Sequence, residues 1–336
     1  MTQFFFVLIL PISVFLLNSF LNKKNYLMSY NGQLHQNFTS PDKVPLSGGI
    51  LLLFCYLIIF NENSIVLNIF FIFIFLLGLF SDFKKNFSAK KRLIFQFFII
   101  LFFIILIDLK IENVRLVFFN ILLKNYFFNL FFISFCFLIL INGTNFIDGV
   151  NTNVLGYYLI ISFVLFQKNY LTTINMEFID WLLWCMCLSI ICLYNFFKKL
   201  FIGDNGSYFL SLMYGYYIVK IYSLNQQISP YFIILVLWYP CFELLFSMIR
   251  KMKLKKSPLL PDTNHLHQLI FYFLTKKNIK FQNTISAILI NLYNCIIIVI
   301  GFQYIYNSYI QIALVTLNII LYIAIYNWLL KIRFKI

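Results

Sequence analysis

The chain has 336 residues but only 11 acids and three histidines, so each of these groups needs a reason to be there. Glu62, Asp108, Glu112, Glu177 and Asp180 lie in or beside short polar breaks and read as solvated loop charges. Asp42, Asp82, Asp148, Asp204, Glu243 and Asp262 sit at one set of ends of the long apolar segments. His35, His265, His267 and most of the lysines share those ends. Carboxylates at helix ends in such a chain are costly to desolvate and usually face a polar cavity. Together with many cations they suit a hard metal ion and an anionic substrate, although any one of them alone could be a snorkelling surface charge.

The local sequences sharpen this chemistry. Asn142-Gly-Thr-Asn145-Phe-Ile-Asp148-Gly149 sets three oxygen-bearing side chains at steps of three, which fall on one side of a helix end. A plain polar cap is the alternative. Phe201-Ile-Gly203-Asp204-Asn-Gly206-Ser207 puts an acid between glycines immediately before an apolar run. Glycine lets backbone approach a phosphate, and a helix N-terminus favours anions; an ordinary Asp/Asn-Gly turn with a Ser cap would explain the same residues. Asp82 follows Gly78 at the end of another run. Pro45-Leu-Ser-Gly48-Gly49 opens a further one and reads equally well as helix packing. His265-Leu-His267 follows Pro258, Pro261 and Asp262. Imidazoles at i and i+2 diverge on a helix but face one way on extended chain. With no cysteine nearby to complete a zinc site, a diphosphate beside Lys255 and Lys256 suits them better.

The elements that must position these groups follow from composition. Hydrophobic residues make up 62% and charged residues 11%, against about 45–50% and about 25% in soluble domains. A soluble enzyme, a disordered chain and a secreted disulfide scaffold are thereby excluded. The apolar runs are long rather than alternating, which argues against an outer-membrane barrel. Eleven can be drawn, near 3–21, 46–60, 64–80, 93–107, 126–142, 152–167, 178–196, 207–222, 229–249, 284–305 and 309–330. The expected fold is therefore all-α: a polytopic helical integral membrane protein of about 11 transmembrane helices, one domain over residues 1–336. The first segment lacks a basic leader and a small-residue cleavage site, and Lys23 and Lys24 follow it, so it reads as a retained span.

Orientation follows from charge. The net charge of +15 would suggest nucleic acid in a soluble protein; here it reads as the positive-inside rule, with no nucleic-acid partner. With Met1 outside and Ile336 inside, the cytoplasmic segments fall near 22–45, 81–92, 143–151, 197–206, 250–283 and the tail, and they hold 21 of the 26 Lys and Arg. The site is thus expected on the cytoplasmic face of the inner (plasma) membrane. All seven cysteines lie in apolar runs, so no disulfide framework is indicated.

In order along the chain, these motifs resemble the polyprenyl-phosphate N-acetylhexosamine-1-phosphate transferase family, glycosyltransferase family 4, over residues 41 to 270. Its P-x-x-G-G resembles Pro45–Gly49 and its G-x-x-D-D resembles Gly78–Asp82, with Ser81 in place of the first Asp. Its N-x-x-N-x-x-D-G matches Asn142–Gly149, with Asn151 where a further Asp follows. Its basic residue before F-x-G-D-x-G-S is similar to Lys199 before Phe201–Ser207. Its P-x-x-D before an Arg resembles Pro240–Glu243 before Arg250. Its K-S-P…D-x-x-H-L-H-H resembles Lys256-Ser257-Pro258, Asp262 and His265-Leu-His267, with Gln268 as the last residue.

The resemblance implies transfer of a sugar-1-phosphate from a UDP-N-acetylhexosamine to undecaprenyl phosphate, a membrane lipid, with release of UMP. It implies Mg²⁺, with Mn²⁺ able to serve. Asp204 would be the primary metal ligand, with Asp148 and Asn145 in support, Asn142 beside them and Asp82 near the lipid phosphate. Lys199, His265 and His267 would hold the diphosphate, with Lys43 and Arg250 as further contacts. Ser81 removes a base at its position. A phosphate monoester is already mostly dianionic at pH 7, so direct attack by the lipid phosphate is expected, with Asp82 as the alternative base. The interrupted His-Leu-His run looks like the branch that initiates surface glycans such as the O-antigen of lipopolysaccharide. The phospho-N-acetylmuramoyl-pentapeptide transferase branch is the runner-up, and a lipid-linked-glycan flippase or anion transporter is the competing class. A homodimer is left open.

Overall fold

The computed structural model describes residues 2–29, 43–84, 87–165, 168–258 and 263–334. His35, Asp42 and Asp262 lie outside the described residues. Among those described there are fourteen helices and no strand: α1 (Thr2–Lys24), α2 (Gly48–Ile59), α3 (Ile65–Phe83), α4 (Ala89–Ile107), α5 (Val117–Leu123), α6 (Tyr126–Ile147), α7 (Asn153–Leu165), α8 (Lys168–Thr173), α9 (Phe178–Phe196), α10 (Gly203–Leu224), α11 (Pro230–Lys253), α12 (Leu266–Lys276), α13 (Gln282–Gln303) and α14 (Ser308–Phe334). Several starts carry side-chain caps. Ser64, Ser88 and Asn125 accept from the N–H of Leu67, Lys91 and Phe128, which satisfies donors that a helix start leaves orphaned.

A helix covers each of the eleven apolar segments, and α5, α8 and α12 are short helices between them. Seven of the fourteen are long and apolar enough to cross a membrane: α1, α3, α6, α9, α11, α13 and α14. The sequence led us to expect about eleven. The difference has physical causes. Helices α2 and α7 have 12 and 13 residues, short of the roughly 20 that a bilayer core asks for. Helix α4 opens on Lys90, Lys91 and Arg92. Helix α10 carries Asp204, three glycines and five tyrosines, and it is enclosed by other helices along most of its length. A helix wrapped by protein needs no apolar surface for lipid.

The connections sort to two ends. At one, Asn18 donates to the Lys199 carbonyl at 2.9 Å, Ser47 donates to Asn18 at 2.6 Å, and Phe201 exchanges backbone bonds with Pro45 and Gly48 at 2.9 Å each. At the other, Arg115 donates to the Gln227 carbonyl at 2.7 Å and to Ser308 at 2.8 Å, while Asn63 donates to the Tyr217 hydroxyl at 3.0 Å. The chain near residues 45–48 and the 199–201 segment therefore meet in space.

The first turn of α10 is wedged between α2 and α3, and glycine makes this fit. A Cβ on Gly49 would stand 1.8 Å from Asn205 Oδ1 and 2.4 Å from the Gly206 nitrogen. A Cβ on Gly78 would stand 2.6 Å from the Asp204 carbonyl oxygen. The Gly-Gly and Gly-x-x-x-Asp spacings thus bring backbone against backbone where Asp204 is held.

Candidate active site

The site is built on the start of α10. Gly203 has φ +68°, a left-handed turn that favours glycine, and the chain then enters the helix at Asp204. The exposed donors of that first turn are capped from another helix. Asp82, near the end of α3, accepts from the N–H of Asp204 and of Asn205 at 3.0 Å each, and from the Asn205 side chain at 2.5 Å. A carboxylate against helix N–H groups is stabilised by hydrogen bonds and by the helix dipole. Both Asp82 oxygens are therefore committed to holding the Asp204 loop.

Asp204 is the hub. Its Oδ1 accepts from the Asn145 amide at 2.6 Å. Its Oδ2 accepts from Ser81 Oγ at 2.7 Å and from the Arg92 guanidinium at 2.8 Å, and Arg92 also donates to Ser81 Oγ at 3.1 Å. Tyr208 lies at the edge of this group, 3.5 Å from Oδ2. Residues from α3, α4, α6 and α10 thus converge on one partly exposed carboxylate.

Asp148 caps the end of α6 and is partly buried. Loss of hydration raises its carboxyl well above the usual range, and the neighbouring Asp204 and Asp82 carboxylates add to the rise. Its side chain has no hydrogen-bond donor among the described residues. The loop that follows is pinned by amides: Asn151 N–H donates to Asn283 at 2.6 Å, and Asn291 donates to the Thr152 and Asn153 carbonyls at 3.2 Å each. No cage of three or more His, Cys, Asp or Glu exists among the described residues. A Mg²⁺ ion usually takes one or two carboxylates and fills its shell with water and phosphate oxygens. Asp148, with no donor on it, and the unused lone pairs of Asp204 Oδ1 fit that need; the charge a cation brings would relieve three crowded carboxylates.

The two histidines occupy a second cluster. His265 precedes α12 on extended backbone and His267 sits in its first turn, so the rings lie parallel, 5.7 Å apart and 2° from coplanar orientation. His265 Nδ1 is 3.0 Å from Glu243 Oε1, and Phe146 packs edge-on against its ring at 5.1 Å. His267 is fully buried and neither ring nitrogen has a partner. Burial, with the His265 ring beside it, pushes His267 down to about 3. A Cβ on Gly149 would come within 2.1 Å of His267 Nε2, so the Asp148-Gly149 step requires its glycine to let α12 close.

Residues 64–222 match the family described as glycosyl transferase family 4, and that span contains Ser81, Asp82, Arg92, Asn145, Asp148 and Asp204. Over that span the chain is similar to glycosyl transferase family 4. It is 25% identical over 227 residues, 67% of each chain, to the undecaprenyl-phosphate alpha-N-acetylglucosaminyl 1-phosphate transferase of Thermotoga maritima.

The motif residues do not all gather at Asp204. Asn142 donates to Gln96 Oε1 at 2.8 Å and to the Leu138 carbonyl at 2.9 Å, and so faces α4. Steps of three turn a helix by about 300°, so two such steps drift by about 120°, and Asn145 alone reaches Asp204. Lys43 and Lys199 are exposed near the same end of the protein, and neither ammonium is paired with a carboxylate among the described residues. Arg250 packs 5.8 Å over the Tyr326 ring and donates to Ser247 at 3.2 Å. Two contributors were not singled out from sequence. Arg92 stood as one of five basic residues between 84 and 92, yet it lies four before Gln96, on the stripe of Gln96, Ile100, Phe103 and Ile104 that α4 buries. Tyr322 donates to Glu243 Oε2 at 2.7 Å, and its position in a late apolar helix gave no signal.

Proposed function

We propose that this protein transfers N-acetylhexosamine-1-phosphate from a UDP-sugar to undecaprenyl phosphate on the cytoplasmic face of the inner membrane, releasing UMP and initiating a surface glycan such as O-antigen. The observation that carries this reading is the convergence of separate motifs on Asp204, with the unpartnered carboxylate of Asp148 beside it. Such a site suits two phosphates that must be brought together. A Mg²⁺ ion held by Asp204 and Asp148 would supply charge neutralisation and polarise the donor phosphates.

In the step itself, an oxygen of the lipid phosphate forms a bond to the sugar-linked phosphorus. The bond from that phosphorus to the bridging oxygen breaks, and UMP leaves with the electron pair. No proton need be removed from a dianionic acceptor, which fits Ser81 in place of a carboxylate and Asp82 fully used as a cap. Arg92 and Asn145 keep Asp204 oriented, and His265 turns its free Nε2 toward donor phosphate oxygens once Nδ1 is held by Glu243. An open groove of about 910 Å³ between α3 and α4 suits an acceptor with an anionic head and an apolar chain. Leu77, Phe80, Phe87, Ile94 and Phe95 wall it, and Lys84 and Lys91 stand among them; the chain neighbours Ser81 and Arg92 reach Asp204.

Membranes carrying the protein, incubated with UDP-N-acetylglucosamine labelled in the sugar, undecaprenyl phosphate and Mg²⁺, test this. Labelled lipid pyrophosphate together with UMP supports the reading. Release of UDP, or label that remains water-soluble in every member of a UDP-N-acetylhexosamine panel, overturns it.

A further inference from the structure

The last helix, α14, lies outside the family match and outside every motif, yet one of its faces grips the His265 loop. Tyr322 donates to Glu243 Oε2 at 2.7 Å. Glu243 Oε1 accepts from Leu266 N–H at 3.4 Å and lies 3.0 Å from His265 Nδ1. One turn along α14, Tyr326 donates to the Asn264 carbonyl at 3.0 Å, and Arg333 donates to Asn264 Oδ1 at 2.8 Å. Glu243 and Tyr322 are 1% and 2% exposed, so water does not compete for these bonds.

We propose that Tyr322, acting through Glu243, is a positioning residue for His265: the hydroxyl fixes the carboxylate, the carboxylate holds the proton on Nδ1, and Nε2 is left for donor phosphate oxygens. The proposal rests on the reading of His265 given above. Glu243 has two oxygens, and a buried carboxylate must satisfy both. With Oε2 occupied by Tyr322, Oε1 is directed to the start of α12, where it takes the Leu266 N–H and the imidazole N–H together. Without the hydroxyl, Oε2 is left buried and unpaired, and the carboxylate turns to share its donors. A partner of this kind fixes both the tautomer and the orientation of an imidazole.

The surroundings allow a clean test. The Tyr322 ring packs against Phe242 at 4.9 Å and Phe246 at 5.1 Å, contacts that Tyr322→Phe preserves while removing only the hydroxyl. Full-length protein labelled with ¹⁵N-histidine reports the tautomer directly, and His265→Gln assigns the His265 signals among the three histidines. The expected result is an Nδ1–H tautomer in the parent that moves toward Nε2–H in Tyr322→Phe and further in Glu243→Gln, with Tyr322→Phe still folded and inserted but melting at a lower temperature, since it leaves a buried carboxylate oxygen unpaired. In kinetics, Tyr322→Phe should raise KM for UDP-N-acetylglucosamine three- to tenfold and leave KM for the lipid acceptor alone. In the His265→Gln background it should add nothing further. A tautomer that does not move, or a Tyr322→Phe effect that multiplies on top of His265→Gln, overturns the positioning role. Normal transfer by His265→Gln instead removes the phosphate-binding reading of His265, and the role of Tyr322 with it.

Discussion

Replacing Ser81 by Asp would restore the two adjacent acids of the family pattern, and we expect it to slow transfer rather than speed it. Ser81 Oγ donates to Asp204 Oδ2 at 2.7 Å and accepts from Arg92 at 3.1 Å. An ionised carboxylate there has no proton to donate. It loses a hydrogen bond to a charged acceptor, worth about 1.5–3 kcal/mol, and it faces Asp204 at about 4 Å, a repulsion of about 4 kcal/mol at an effective dielectric of 20. Arg92 stands between the two groups and offsets much of that repulsion. A residual cost of about 1.4–3 kcal/mol is a loss of roughly ten- to 150-fold in rate. Ser81→Ala is the control, since it removes the hydrogen bond without adding charge. The lipid-labelling assay run at several Mg²⁺ concentrations separates the two: added cation should partly restore Ser81→Asp and leave Ser81→Ala unmoved. If Ser81→Asp speeds turnover more than tenfold, direct attack without a base at this position is the wrong mechanism.

Asp204→Asn should cost at least about 100-fold in turnover with the protein still inserted and folded, as read by extraction and thermal unfolding; near-parental turnover would remove Asp204 from the metal assignment. Gly49→Ala should destabilise by about 1–3 kcal/mol or more, because its Cβ meets Asn205 and the Gly206 backbone at 1.8–2.4 Å, and an unchanged melting temperature would refute that packing. His267 titrates at about 3 when folded and near 6.5 when unfolded. The unfolded chain therefore binds the extra proton, and stability falls as pH drops below about 6.5, by about 2 kcal/mol on reaching pH 5. His267→Gln should flatten that slope, and equal slopes would contradict the assignment. Reporter fusions near residues 90, 200 and 270 should all read cytoplasmic, and an external signal at any one would break the shared face.

Much of this was legible in the sequence because lipid imposes a simple rule: apolar runs of sufficient length become helices. Each drawn segment did, and the end at which Asp82, Asp148 and Asp204 gather follows from their alternation. What composition alone could not give is which helices lie inside others. Helix α10 reads as a weak span because protein, not lipid, surrounds it. The glycines were visible as spacings, but that Gly49 admits the Asn205 side chain and the Gly206 backbone, and Gly78 the Asp204–Asn205 backbone, needs the third helix in place. Asp82 read as a residue near substrate; its two oxygens prove to cap α10, a role set by a contact 122 residues away. Arg92 could have been found by extending the buried stripe of α4 back one turn. Tyr322 could not, since nothing local distinguishes a buried tyrosine that packs from one that also donates.

The central claim is that a sugar-phosphate, and not a sugar or a proton gradient, passes through this site to a lipid. The most direct measurement uses UDP-N-acetylglucosamine labelled at the sugar-linked phosphorus with purified protein, undecaprenyl phosphate and Mg²⁺. The labelled phosphorus should move to the lipid in amounts equal to the UMP released, and Asp204→Asn should abolish both. Phosphorus label that stays with the nucleotide while the sugar moves, or lipid labelling that survives Asp204→Asn, would contradict it.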